Sequence, residues 1–146
     1  MAAKLRVLVD ANVTLDVLAK REPHYLTSAA VWALAELGEL EGLLAAHSVT
    51  TLHYLLAKYL GYQQANLTIT KLLQVFKVAA VDQQVILKAL TLSWKDFEDA
   101  VQMAAALNSQ ANYLVTRNPK DFKDELVQVL QPGDLLALFS ASSLFP

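Results

Sequence analysis

Residues 5–18 read LRVLVDANVTLDVL. The Leu and Val run that starts at Leu5 stops abruptly at Asp10, and Leu15, Val17 and Leu18 then follow at mixed helical spacing. This is the pattern of a buried strand, an acidic turn and a helix. The same pattern returns late in the chain, where the apolar Tyr113, Leu114 and Val115 end in the polar Thr116, Arg117 and Asn118.

Strands and helices alternate between these two points. Pro23 breaks the first helix, and helical periodicity resumes from Tyr25 to Leu37, before Gly38. A short apolar strand is expected over 42–46 and a helix over 48–60, stopped by Gly61. A further helix is expected over 67–76, a strand over 78–81 and helices over 83–92 and 96–107, the last carrying an alanine run at 104–106 suited to close packing. A final strand over 126–130 precedes a short helix from Pro132 to Phe139, with proline in its first turn. Strands alternating with helices imply a mainly parallel sheet covered on both faces, because parallel neighbours need crossover connections. At 146 residues this is one domain, expected over 1–139 with a frayed tail over 140–146.

Composition narrows the chemistry. The chain has no cysteine, which excludes disulfides, thiolate metal sites and cysteine nucleophiles, so any metal must be held by oxygen or by one of three histidines. No apolar run reaches the roughly 18 residues of a membrane span, and the start lacks signal-peptide features, so a cytoplasmic protein is expected. Twelve Lys and Arg against 14 Asp and Glu leave a net charge of -2 and no basic footprint for non-specific binding to nucleic acid. Any such substrate must be held by local chemistry. Apolar residues make up 55% and mean hydropathy is +0.33, which points to a large core or to a hydrophobic surface hidden by self-association, as in a homodimer.

Ligand sites of open parallel sheets lie outside the carboxyl ends of the strands. Asp10 and the segment from Thr116 to Asp121 occupy such positions, and Asp96, Glu98 and Asp99 gather near the start of one helix. Hard divalent cations such as Mg²⁺ favour oxygen ligands of this kind. Each acid also has a structural explanation. Asp10 and Asp96 suit helix N-caps, Asp99 complements a helix dipole, and Asp121 is a turn acid after Asn118-Pro119. His53 is expected to be a partly buried structural histidine, and Trp32 and Trp94 to be core or interface residues. Asp16 and Arg21 suit a salt bridge.

Taken in order, LVDANVTLDVLAKRE (8–22), KDFEDAVQMAAAL (95–107) and NYLVTRNPKDF (112–122) resemble a PIN domain, in particular the branch whose middle motif is D-F-E-D. The resemblance runs from about Leu5 to Leu136. It implies a three-layer α/β/α sandwich bearing an acidic nuclease site, dependent on Mg²⁺ or Mn²⁺ and directed at single-stranded or structured RNA. Carried over residue by residue, the family acids match Asp10, Asp99 and Asp121, with Asp96 as a further ligand. Asn12 and Thr116 match polar residues that support the first and last acids, and Asn118 stands where many members carry Asn or Asp. Arg117 and Lys120, with Lys95 and Lys123, flank these motifs and are expected beside the phosphate backbone.

One departure stands out. Many active members place a second acid early in the helix after the second strand, but here that stretch reads SVTTLHYLL (48–56), with Thr51 near the expected place. Asp96 or Glu98 would then supply the missing oxygen. The same absence suits an inactive PIN-like binding or assembly module, the main alternative. A toxin-type protein with an antitoxin covering its apolar surface also fits. The start D-A-N-V-T also resembles the D-x-D-x-[TV] start of haloacid-dehalogenase-type phosphatases, but the second acid is Asn12 here and the later acid pair and lysine of that family are not convincingly placed.

Overall fold

The computed structural model describes residues 4–123 and 125–144. Its strands are β1 (Arg6–Val9), β2 (Glu41–Ala45), β3 (Lys77–Ala79), β4 (Tyr113–Val115) and β5 (Gln128–Leu130). Its helices are α1 (Ala11–Leu18), α2 (Tyr25–Glu36), α3 (Ala46–Leu60), α4 (Tyr62–Leu72), α5 (Gln83–Leu92), α6 (Phe97–Asn108) and α7 (Pro132–Leu144). The strands form one sheet in the order β3-β2-β1-β4-β5, and every neighbouring pair is parallel.

Alternation along the strands divides the core in two. Leu8, Leu43, Ala45, Ala79, Leu114 and Val129 face α5 and α6. Val7, Val9, Leu44 and Val115 face the other way, toward Val13 of α1, Val31 of α2, Leu52 of α3, Leu72 of α4 and Leu135 of α7. The result is the α/β/α sandwich expected from the sequence, with β1 at its centre. Ala100 to Ala106 of α6 are all buried, so the alanine run brings this helix close to the sheet.

A charged row crosses the amino edge of the sheet. Glu41 lies 3.0 Å from Lys77 Nζ and 3.8 Å from Arg6 Nε. The Lys77 hydrogen bond, aided by the charge of Arg6, holds its carboxyl below the usual range. This edge pairs its acid with two bases, whereas Asp10 lies at the opposite, carboxyl edge.

Three helix ends differ from the sequence expectation by four residues or more. Gly61, at φ +85°, ends α3 as expected, but the chain then enters α4 directly at Tyr62 rather than at Leu67. The polar run Tyr62-Gln63-Gln64-Ala65-Asn66 carries little apolar periodicity, although Ala65 is fully buried. The same helix ends at Leu72 rather than Phe76, because Phe76 is a core residue beneath β2. The last helix extends to Leu144 rather than stopping at Phe139.

Phe76 explains the glycine in β2. A Cβ on Gly42 would lie 2.5 Å from Phe76 Cδ1 and 3.2 Å from Ala35 Cβ, while Trp32 packs edge-on against the same ring at 5.4 Å. Since the ring is held on several sides, Gly42→Ala should lower stability by about 1–3 kcal/mol. Urea unfolding measures this, and an unchanged midpoint would show that the ring can move aside.

Candidate active site

The strand order reverses between β1 and β4. Connections run outward through β2 and β3 on one side and through β5 on the other, leaving a crevice at the carboxyl ends of β1 and β4. Asp10 follows β1 and Thr116 follows β4. The Asp10 N–H donates to the Val115 carbonyl (2.9 Å), which continues the strand pairing to the edge of the crevice.

Asp10 is also the N-cap of α1, its Oδ1 accepting from the Asn12 N–H at 3.4 Å. Two side chains fix the rest of the carboxylate. The fully buried Thr116 donates from Oγ1 to Asp10 Oδ2 (2.8 Å), and Gln102 of α6 donates from Nε2 to Oδ1 (3.4 Å). Thr116 Oγ1 also accepts from the Asn118 N–H (3.1 Å), and the Asn118 carbonyl accepts from the Asp121 N–H (3.1 Å). One hydroxyl therefore ties the first acid to the turn that carries the last.

Asp121 closes a single 3-10 turn, Pro119–Asp121, and is exposed. The next residue, Phe122, is buried and packs edge-on against Trp94 at 5.9 Å, which anchors the turn to the core beside α6. Trp94 is thus a packing residue, as is Trp32.

Asp96 caps α6, accepting from the Asp99 N–H at 3.1 Å, so its expected capping role is present. Asp99 lies in the first turn and is half-buried. Its carboxyl is pushed up to about 7, first by burial, then by the charges of Asp96 and Asp10, a hydrogen bond shared with Asp96, and the charge of Asp121. All four acids therefore act on one space. Among the described residues, however, no three acids or histidines are close enough to form a ready metal cluster. They come from three segments, the ends of β1 and β4 and the head of α6, and stand apart.

Other expected residues are placed differently. Asn12 supports Asp10 through its backbone, while its side-chain Oδ1 is buried without a hydrogen-bond partner. Arg117, expected beside the phosphate backbone, pairs instead with an acid of α1. It lies 2.7 Å from the buried Asp16, which also meets Arg21 at 3.6 Å. Lys120, by contrast, lines a cleft of about 220 Å³ with Trp94, Lys95, Asp96, Asp121 and Lys123, so basic and acidic groups share one opening.

Thr51 has no carboxylate neighbour on its helix, and its hydroxyl donates to the His47 carbonyl at 3.2 Å. His53 is bonded to Asn66 at 2.6 Å, linking α3 to α4 in a structural role. Gln102 was not singled out from sequence. Its signal is an amide within the apolar run from Ala100 to Ala106, three residues beyond Asp99, a spacing that puts both on one face.

A profile of the family described as PIN domain matches residues 6–120. The chain belongs to the PIN domain family. The match includes Asp10, Asp96, Asp99 and Thr116, and it ends one residue before Asp121. No curated protein matches the sequence.

Solved structures share the PIN domain fold across nearly the whole chain. A toxin-antitoxin complex from Klebsiella pneumoniae is 20% identical with a TM-score of 0.65, covering 86% of this chain and 97% of that one. VapBC-1 from nontypeable Haemophilus influenzae is 19% identical with a TM-score of 0.67, covering 88% and 99%. Mycobacterium tuberculosis VapC20, described as a Sarcin-Ricin loop cleaving toxin, is 18% identical with a TM-score of 0.59, covering 74% and 86%.

The Asp99 shift has a consequence for the stability of this PIN domain. Its folded value lies above the ordinary 3.8, so the native protein retains a proton that the unfolded chain releases between about pH 4 and 7. The stabilisation from this group is complete below 3.8 and lost as pH rises through about 7. Asp99→Asn, which removes the like-charge repulsion, should unfold at higher urea than the parent at pH 8, with the difference vanishing near pH 4. A difference that does not vary with pH would show that Asp99 does not titrate as described.

Proposed function

We propose that this PIN domain is a toxin-type ribonuclease that hydrolyses phosphodiester bonds with Mg²⁺ or Mn²⁺. The observation that carries the reading is the half-buried Asp99 at the head of α6, whose carboxyl is acted on by the charges of Asp96, Asp10 and Asp121 although these acids stand apart. Burial of the Asp99 carboxyl, and after it the charges of Asp96, Asp10 and Asp121, push it up to about 7, and a cation entering among these acids would relieve that cost.

The donor set fits a hard divalent ion, which takes a few carboxylates together with water and substrate oxygens rather than a closed cage. Asp10, Asp99 and Asp121 would hold it, with Asp96 as a further oxygen donor. When bound, such an ion activates water and stabilises the charge that develops on the phosphodiester oxygens. The chain's own residues prepare this site. Thr116 and Gln102 leave Asp10 little freedom to rotate, and the Asp96 cap fixes the head of α6. Lys95, Lys120 and Lys123 hold the phosphate backbone beside the acids, which reconciles RNA binding with a net negative chain.

One of the similar structures is a toxin-antitoxin complex and another is described as a toxin, and this chain carries a surface suited to a protein partner of the antitoxin class. An apolar groove of about 500 Å³ runs between α1 and α3, lined by Leu15, Leu18, Leu55, Leu56 and Tyr59. Tyr59 and Leu60 are more than half exposed there, as is Tyr62 beyond them. An antitoxin-like helix with an apolar face would cover this surface, and a second copy of the chain is the competing occupant. The described residues include no helix long and apolar enough to cross a membrane.

The deciding experiment is cleavage of a labelled single-stranded RNA with Mg²⁺ or Mn²⁺. The parent should cut, EDTA should stop it, and Asp10→Asn or Asp99→Asn should reduce cutting to background while the far-ultraviolet circular dichroism stays native. Retained cutting in both variants would displace the assigned site. A folded parent that binds RNA without cutting would favour the binding-module reading, for which the absence of an acid at Thr51 is the supporting feature. Replacing Lys120 and Lys123 with Ala should weaken RNA binding and reduce its salt dependence by a slope of about 1.4, at about 0.7 per phosphate contact on a single strand.

A further inference from the structure

Asp16 is a fully buried acid that the proposed chemistry does not use. Its Oδ2 meets Arg117 Nε at 2.7 Å and accepts from Ser28 Oγ at 3.3 Å, while Oδ1 meets Arg21 Nε at 3.6 Å. The arginine contacts are ion pairs and not aligned hydrogen bonds, since neither Asp16 Oδ1 nor Arg117 Nε finds a directed partner. Removing an acid and an arginine from water is costly, and apolar side chains of similar size often stabilise such a site as well or better. Stability alone is therefore a poor reason for this arrangement.

The neighbours of Arg117 supply a better one. Thr116, on one side, donates to Asp10 Oδ2, and Asn118, on the other, donates its N–H to Thr116 and accepts from the Asp121 N–H. Asp10 is also the N-cap of α1, the helix on which Asp16 sits. The contacts thus form a closed circuit: the start of α1 sets Asp10, Asp16 holds Arg117, and the residues flanking Arg117 hold Asp10 and Asp121.

We propose that Asp16 is a positioning residue of the active site, acting through Arg117 to hold the Thr116–Asp121 turn in register with Asp10. Arg117 is then an internal strut and not a phosphate ligand. Asp16 touches neither RNA nor a reacting atom, so its effect belongs in the rate of the bound complex and not in RNA affinity. The inference rests on the ribonuclease reading for its kinetic part only.

The test compares the full-length parent with Asp16→Asn, Arg117→Gln and the double variant, using RNA cleavage with Mn²⁺ and backbone amide exchange without metal. Each single variant should lower kcat about tenfold with KM changed less than about twofold, as expected for a residue behind a ligand. The double variant should be no slower than the slower single, because both changes cut the same strut. Exchange at the Asn118 and Asp121 amides should accelerate, while amides in β1 away from the turn stay protected. A folded Asp16→Asn with parental kcat and parental exchange would overturn the proposal, as would an Arg117→Gln that raises KM and leaves kcat alone. Should Asp16→Asn fail to fold, Arg117→Gln and the charge-neutral double variant carry the same comparison. Should the parent not cut RNA at all, the ribonuclease reading fails by itself, and exchange at Asn118 and Asp121 still decides whether Asp16 holds the turn.

Discussion

The hydrogen bond from Thr116 Oγ1 to Asp10 Oδ2 joins the ends of the two strands at which the sheet changes direction. Much of the site hangs on it. A carboxylate at the end of a buried strand would otherwise rotate freely into the crevice, and the turn after β4 would have no reason to stay beside it. Thr116 is fully buried and its hydroxyl both donates and accepts, so one side chain fixes an acid and the backbone of the segment leading to another. The Asp10 N–H, bonded to the Val115 carbonyl, keeps the two strand ends in register at that point.

Around this pair the fold brings charge together at a cost. Asp99 enters the crevice from α6, which approaches closely because Ala100 to Ala106 are small or flexible enough to be buried together. That closeness also carries Gln102 to Asp10 and removes water from Asp99, which raises its carboxyl. A fold selected for stability alone would avoid such a cluster, and sites of this kind commonly trade stability for function. The amino edge of the same sheet shows the contrast: there Glu41 is flanked by Arg6 and Lys77, and its carboxyl is lowered instead.

Much of this could be read from the sequence. The strand-acid-helix pattern of residues 5–18 gives β1, Asp10 and α1, and the three motifs in order give the family. What the sequence hid has physical causes. The early start of α4 lay in a polar run whose only fully buried member is Ala65. The direction of Arg117 could not be read, since an arginine beside acidic motifs suits a phosphate or a buried carboxylate equally, and Asp16 lies 101 positions away in the chain. Asn12 resembled a side-chain support for Asp10, whereas its backbone makes that contact because Asp10 is a helix cap. Three-dimensional closure decided each of these.

The absent acid on α3 can be considered in the same terms. The heads of α3 and α6 are joined where His47 Nε2 donates to the Glu98 carbonyl at 3.2 Å, and Thr51 shares a pocket of about 320 Å³ with Phe97, Glu98 and Val101. An acid on α3 would therefore enter the same neighbourhood as the acids already present at the head of α6. Under the proposed reading, the pair Asp96 and Asp99, three residues apart on one face, supplies from a single helix the charge that other members divide between two. Burial first, and then repulsion from Asp96, Asp10 and Asp121, raises the Asp99 carboxyl. A carboxylate added at Thr51 would share that pocket with Glu98, a like-charge pairing that the threonine avoids.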